Sequence, residues 1–156
     1  MHDVSRDISE LLQLLVKHRV DFAICGGHAV AFHGYVRMTM DVDVLVRPTA
    51  ANARRVKRAL DEFGFGGAGI PESAFRQPGS IVSLGVQPNQ VDLLTSISSQ
   101  RTAEVLSHVV PGSLGGLRVP FVSLADLLRA KREASRPKDI LDVTELEARH
   151  GRPPER

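Results

Sequence analysis

Apolar residues recur along this chain with two different periods, and the switches between them mark out the elements. Ile8, Leu11, Leu12, Leu15 and Val16 fall three and four apart, which predicts an amphipathic helix from Val4 to Lys17. Asp21 to Cys25 is a short β-rich run ended by Gly26-Gly27, and His28 to His33 reads as a helix stopped at Gly34. From Val42 to Val46 the period drops to two, so Val42, Val44 and Val46 share one face of a strand that Pro48 closes. Thr49 caps a predicted helix over Ala50–Phe63, and Gly64–Gly69 reads as a flexible loop. Strands follow at Ser80–Val86 and Gln90–Leu94, joined through Gln87-Pro88-Asn89 as in a hairpin. Ser99–Val109 reads as a helix, Pro111–Gly116 as a turn and Leu117–Val122 as a last strand. Ser123 caps a helix carrying Leu124, Leu127 and Leu128. Pro137 then opens the final helix, with Ile140, Leu141, Val143 and Leu146 turned inward.

No internal repeat interrupts this order. Hairpin-linked strands with helices at both ends predict an α+β (mixed α/β) fold, a small mixed sheet with helices packed on it. Residues 1–150 are expected to form a single domain and 151–156 a disordered tail.

Composition narrows the picture. At 156 residues and 42% hydrophobic the chain is long enough for a real core, but with 4% aromatic residues and no Trp that core must come from Leu, Val, Ile and Ala. Stacking platforms for single-stranded nucleic acid are correspondingly scarce. A net charge of +2 and a pI near 9.0 suit a nucleotide or RNA partner without demonstrating one. The lone Cys25 excludes an internal disulfide and offers no zinc spacing; in its apolar run it reads as a small buried hydrophobe. With no apolar signal core at the N-terminus and no run near the ~20 residues of a membrane span, the expectation is a cytoplasmic protein with no membrane partner.

The chemistry concentrates where the period-two strand begins. Alternation points Asp41 and Asp43 to the same side, with α-carbons roughly 6–7 Å apart. Neighbouring like charges repel, and folding alone gives no reason to place them together; a shared divalent cation removes the penalty. Asp92, within Gln90-Val-Asp92-Leu-Leu, joins the pair if its strand lies beside Val42–Val46. Three such carboxylates would hold one or two Mg²⁺ ions, which prefer hard oxygen ligands. Upstream, Gly26-Gly27 before a helix offers free backbone N–H groups to phosphate, with no side chain to block approach.

Gly26-Gly27, Arg37-x-Thr39-x-Asp41-x-Asp43 and Asp92 together resemble the polymerase-beta-like nucleotidyltransferase superfamily. The segment Lys131-Arg-Glu-Ala-Ser-Arg136-Pro-Lys138-Asp139-Ile-Leu-Asp142 looks like the C-terminal pattern of the small abortive-infection type, the toxin side of type IV toxin–antitoxin pairs. The resemblance spans Leu11 to Leu146. It implies a nucleotidyltransferase fold and an Mg²⁺-dependent enzyme moving a nucleoside monophosphate from a nucleoside triphosphate to an acceptor hydroxyl on RNA, tRNA or protein. Carried over, it implies that Asp41, Asp43 and Asp92 are catalytic and ligate the metal. Gly26, Gly27, Arg37, Thr39, Lys131 and Lys138 would seat the nucleotide, with Asp139 orienting a basic side chain or capping the last helix. A cognate antitoxin or partner chain follows from the same likeness. Two alternatives stand beside it: a non-catalytic, antitoxin-like module of the same fold, and an antibiotic-modifying enzyme with a small-molecule acceptor.

Other polar groups have plainer readings. Arg54, Arg55, Lys57 and Arg58 form a wet helix face more readily than an RNA groove. His28 and His33 lack metal spacing, and Ser96, Ser98 and Ser99 have no paired base for hydrolase chemistry.

Overall fold

The Ser5 hydroxyl accepts the amide of Ile8 at 3.3 Å and opens helix α1 (Arg6–Lys17). The chain then runs through β1 (Phe22–Cys25), α2 (Gly26–Phe32), β2 (Asp41–Val46) and α3 (Ala50–Phe63), the last capped by Thr49. A 3₁₀ turn (Glu72–Phe75), β3 (Ile81–Leu84), β4 (Gln90–Leu94), α4 (Thr102–Ser107), β5 (Val110–Leu114) and β6 (Leu117–Phe121) follow. Helices α5 (Leu124–Ala134), capped by Ser123, and α6 (Pro137–His150) complete the order. The structure, a computed structural model, describes residues 4–64 and 69–151. Most of the expected Gly64–Gly69 loop and of the 151–156 tail therefore lies outside the described residues.

The six strands form one mixed sheet in the order β3-β4-β2-β1-β6-β5. β1 runs antiparallel to β2, β2 parallel to β4, and β1 parallel to β6, so the α+β expectation holds with hairpins at both edges. All four residues of β1 are buried, because helices cover both faces of the central strands. Helices α1 and α3 pack on each other against the face carrying Leu84 and Val91. Helix α5 lies across the opposite face, beside Asp43 and Asp92. The core is built mainly from Leu, Val, Ile and Ala as the composition requires, with Phe75 and Phe121 fully buried among them. No described helix is long and apolar enough to cross a membrane.

Three elements differ from the sequence reading. Helix α2 starts at Gly26 itself instead of His28, so the glycines are its first turn. Residues Val110–Leu114, mostly expected as part of the Pro111–Gly116 turn, form edge strand β5. Pro111 is tolerated there because an edge strand does not need every donor. Gly112 is small of necessity: a Cβ there would come within 2.5 Å of Phe32, which stacks on Phe121 at 4.1 Å. Helix α6 carries the third difference. Val143 and Leu146 face inward, but Ile140 and Leu141 are exposed and Asp139 and Asp142 are fully buried.

Candidate active site

Strand β2 sends Val42 and Val44 into the core and Asp41 and Asp43 to the other face. In the parallel ladder Asp43 sits opposite Asp92 and Asp41 opposite Gln90, so all three carboxylates share one face of two adjacent strands. Asp92 is steadied from both sides: Ser83 Oγ donates to its Oδ1 at 2.7 Å and Gln90 Nε2 at 2.9 Å. Burial pushes the Asp43 carboxyl up to about 6, helped by the charges of Asp92 and Asp41 and by a hydrogen bond with Asp92, while Lys131 pulls the other way.

The double glycine is fitted to this face. Gly26 has φ +64°, and a Cβ there would fall 1.9 Å from Asp43 Oδ2; a Cβ on Gly27 would fall 2.6 Å from Thr39 Oγ1. Only glycine lets the turn lie against the carboxylate. Thr39 in turn donates to the Asp41 carbonyl at 3.1 Å, shaping the entry into β2.

The cations come from three places in the fold, Arg37 lying far in sequence from Lys131 and Arg136. Arg37 bonds both oxygens of Asp142, at 2.7 and 2.8 Å. Lys131 of α5 lies 3.2 Å from Asp139 and 3.0 Å from Asp142. Arg136 closes the α6 cap by bonding Asp139 through its backbone and side chain, at 3.2 and 2.6 Å. Burial by itself would raise Asp139 and Asp142; hydrogen bonds and charge from Arg136, Lys131 and Arg37 outweigh it and hold both carboxyls below the usual range. Asp139 thus orients a basic side chain and caps its helix.

These groups line one cleft of ≈ 640 Å³. It brings together every residue the sequence pointed to: Gly26, Gly27, Arg37, Thr39, Asp41, Asp43, Asp92, Lys131 and Lys138. Arg136 belongs there too, and Ser83, Gln90 and Asp142 support it from outside; Gln90 and Asp142 stand in the quoted motifs, but their contacts, like that of Ser83, rest on strand register and tertiary packing. Met38, Met40, Ile81 and Leu94 give the wall an apolar stretch, beside Gln87 and Ser96. Cys25 also lines it, yet is buried, with burial and then the Asp43 charge pushing its thiol up, so it serves as a small apolar residue.

The donor set can be tested against a metal. Asp41 Oδ1 is buried without a hydrogen-bond partner, an arrangement that costs free energy unless something else satisfies it. Among the described residues, however, no three Asp, Glu, His or Cys side chains converge closely enough to hold a metal ion together, so the three-carboxylate cluster expected of Asp41, Asp43 and Asp92 is not preformed. Such a donor set would suit a hard cation held by one or two carboxylates, with substrate oxygens and water completing its shell.

No protein-family model matches the chain, and no curated protein matches it. Among solved structures it is similar to the antibiotic-resistance factor ANT(2'')-Ia, with a TM-score of 0.61 and 14% identity over 93% of this chain and 83% of that one. It is also similar to the lincosamide antibiotic adenylyltransferase LnuA, solved with lincomycin bound, with a TM-score of 0.57 and 14% identity over 94% and 99% of the two chains. A third neighbour is TM1012 of Thermotoga maritima, itself proposed as a nucleotidyltransferase, with a TM-score of 0.56 and 15% identity over 95% and 98%. At such identities the likeness speaks to architecture alone, and what it establishes is that this chain has the nucleotidyltransferase fold.

Proposed function

We infer that the protein is an Mg²⁺-dependent nucleotidyltransferase. The observation carrying this reading is the register that sets Asp43 beside Asp92, with Gly26 seated against Asp43 and the unpartnered Asp41 oxygen on the same face. Asp41 and Asp43 would hold the ion, with Asp92 as a further ligand or as the base. When bound, Mg²⁺ would neutralise the charge that develops on the phosphoryl oxygens. Gly26, Gly27, Arg37, Thr39, Lys131 and Lys138 would seat the triphosphate. Asp92, its Oδ1 already engaged by Ser83 and Gln90, would take the proton of the acceptor hydroxyl. The hydroxyl oxygen then bonds to the α-phosphorus, the bridge to the β-phosphate breaks, and pyrophosphate leaves. Positioning and charge neutralisation do most of the work in such a transfer.

The acceptor is the open choice, and one observation bears on it. The basic residues of α3 belong to the helical layer across the sheet from the acids, so they give a polynucleotide no grip beside the reacting groups. Among the described residues, the cleft lining carries no aromatic ring on which bases could stack. Both points favour a compact acceptor over tRNA, in keeping with one structural neighbour being a lincosamide antibiotic adenylyltransferase and another an antibiotic-resistance factor. The toxin role and a cognate antitoxin rest on the resemblance of the α5–α6 segment alone.

The test is transfer of label from each α-³²P nucleoside triphosphate with Mg²⁺, offered cell RNA, total protein and a panel of hydroxylated antibiotics. Labelled product with stoichiometric pyrophosphate supports the reading. Transfer undiminished by EDTA contradicts the metal dependence, and binding with no pyrophosphate from any acceptor points to the non-catalytic module instead.

A further inference from the structure

Helix α6 buries the residues an amphipathic helix would expose. Ile140 and Leu141 stand 57% and 49% exposed, whereas Asp139 and Asp142 have no exposed surface. Asp139 has a local reason, the cap it closes with Arg136. Asp142 has none. Buried ion pairs seldom stabilise a fold more than well-packed apolar residues of the same volume, so folding alone does not account for this carboxylate.

Its partners do. The Arg37 guanidinium presents Nε and Nη2 to the two oxygens of Asp142, a fork that sets the plane of the group. Its remaining nitrogen, Nη1, donates to the Met38 carbonyl at 3.2 Å and lies only 3.3 Å from where a Cβ on Gly27 would stand. Lys131, held by Asp142 and Asp139, borders the same cleft and acts electrostatically on Asp43. One carboxylate, 105 residues from Arg37 in sequence, therefore places one cation against the glycine turn and a second facing the acids.

We propose that Asp142 is a positioning residue for the triphosphate, holding the Arg37 head against the Gly26–Gly27 turn and the Lys131 head toward the acids while touching no substrate atom itself. This rests on the nucleotidyltransferase reading above. Asparagine at 142 keeps the shape but lacks the charge and one acceptor, so Arg37 loses its fork and Lys131 half its anchorage.

The test is calorimetric titration of the full-length chain with the Mg²⁺ complexes of ATP, GTP, CTP and UTP in turn. Wild type binds at least one. Asp142→Asn, confirmed folded by circular dichroism, binds that nucleotide about tenfold more weakly or worse. In the transfer assay its KM rises more than its kcat falls, because phosphate contacts act in ground state and transition state alike. Should Asp142→Asn fail to fold, the double variant Arg37→Met with Asp142→Leu carries the test, since it leaves no unpaired charge. Because Asp142 acts through its cations, that double variant binds the nucleotide within about threefold of Arg37→Met alone, and a larger further loss counts against the positioning role. Affinity within about twofold of wild type, in either folded variant, overturns the positioning role. If wild type binds none of the four nucleotides, the nucleotidyltransferase reading itself fails and takes this role with it.

Discussion

Adding a single methyl group at Gly26 is expected to abolish transfer. Two independent costs meet at that carbon. The backbone has φ +64°, where an L side chain costs roughly 1–2 kcal/mol. The new Cβ would also stand 1.9 Å from Asp43 Oδ2 and 2.8 Å from its Cγ, so the carboxylate must swing away or the turn must lift. Either movement separates the glycine turn from the acids, and displacements near 1 Å at a reacting centre cost on the order of 10²-fold in rate. Gly116→Ala is the control. It has the same kind of backbone, φ +81°, but nothing within 4 Å of the added carbon, so it should lose about 1 kcal/mol of stability and no activity. Melting temperatures and initial rates of the two variants separate strain from misplacement.

Asp43→Asn should trade activity for stability. Loss of this carboxylate removes the charge that would hold Mg²⁺, and transfer should fall about 10²–10³-fold or more. The fold, by contrast, should tighten, because a buried like charge beside Asp92 and Asp41 disappears. The pH dependence gives the sign. The folded-state value of about 6 lies above the ordinary carboxylate value, so the native state takes up this proton first as pH falls. Ionised Asp43 therefore costs stability above about pH 6, and the cost fades as pH drops toward about 4. Urea midpoints in EDTA should show the variant ahead of wild type at about pH 7.5 and the gap closing near about pH 4. A gap that widens toward acid would contradict the electrostatic account.

The acidic half of the site was legible because its signal is local. Period-two alternation alone puts Asp41 and Asp43 on one side, and the apolar flanks of Asp92 mark a second buried strand. Whether that strand lay beside the first was a tertiary question, answered by the ladder that sets Asp43 opposite Asp92. The cationic half was only partly legible. Arg37 and Lys131 stood out by type, but their partner Asp142 sits between apolar residues that make α6 look amphipathic in the opposite sense. Strand β5 was hidden by Pro111 and Gly112, two poor strand formers. An edge position tolerates the first, and the Phe32–Phe121 stack requires the second. Gly26 read as a turn before a helix because positive φ at a helix's first residue leaves no mark beyond the glycine itself.

The central claim is that these acids and the glycine turn form one cation-and-triphosphate site. It is tested most directly by crystals grown with Mn²⁺ and a non-hydrolysable α,β-methylene nucleoside triphosphate. The account predicts an anomalous peak in contact with the carboxylates of Asp41 and Asp43, at about 2.0–2.3 Å, with phosphate oxygens against Gly26 and Gly27. A nucleotide bound elsewhere on the chain, or seated in the cleft with no metal at Asp41 and Asp43, would contradict it.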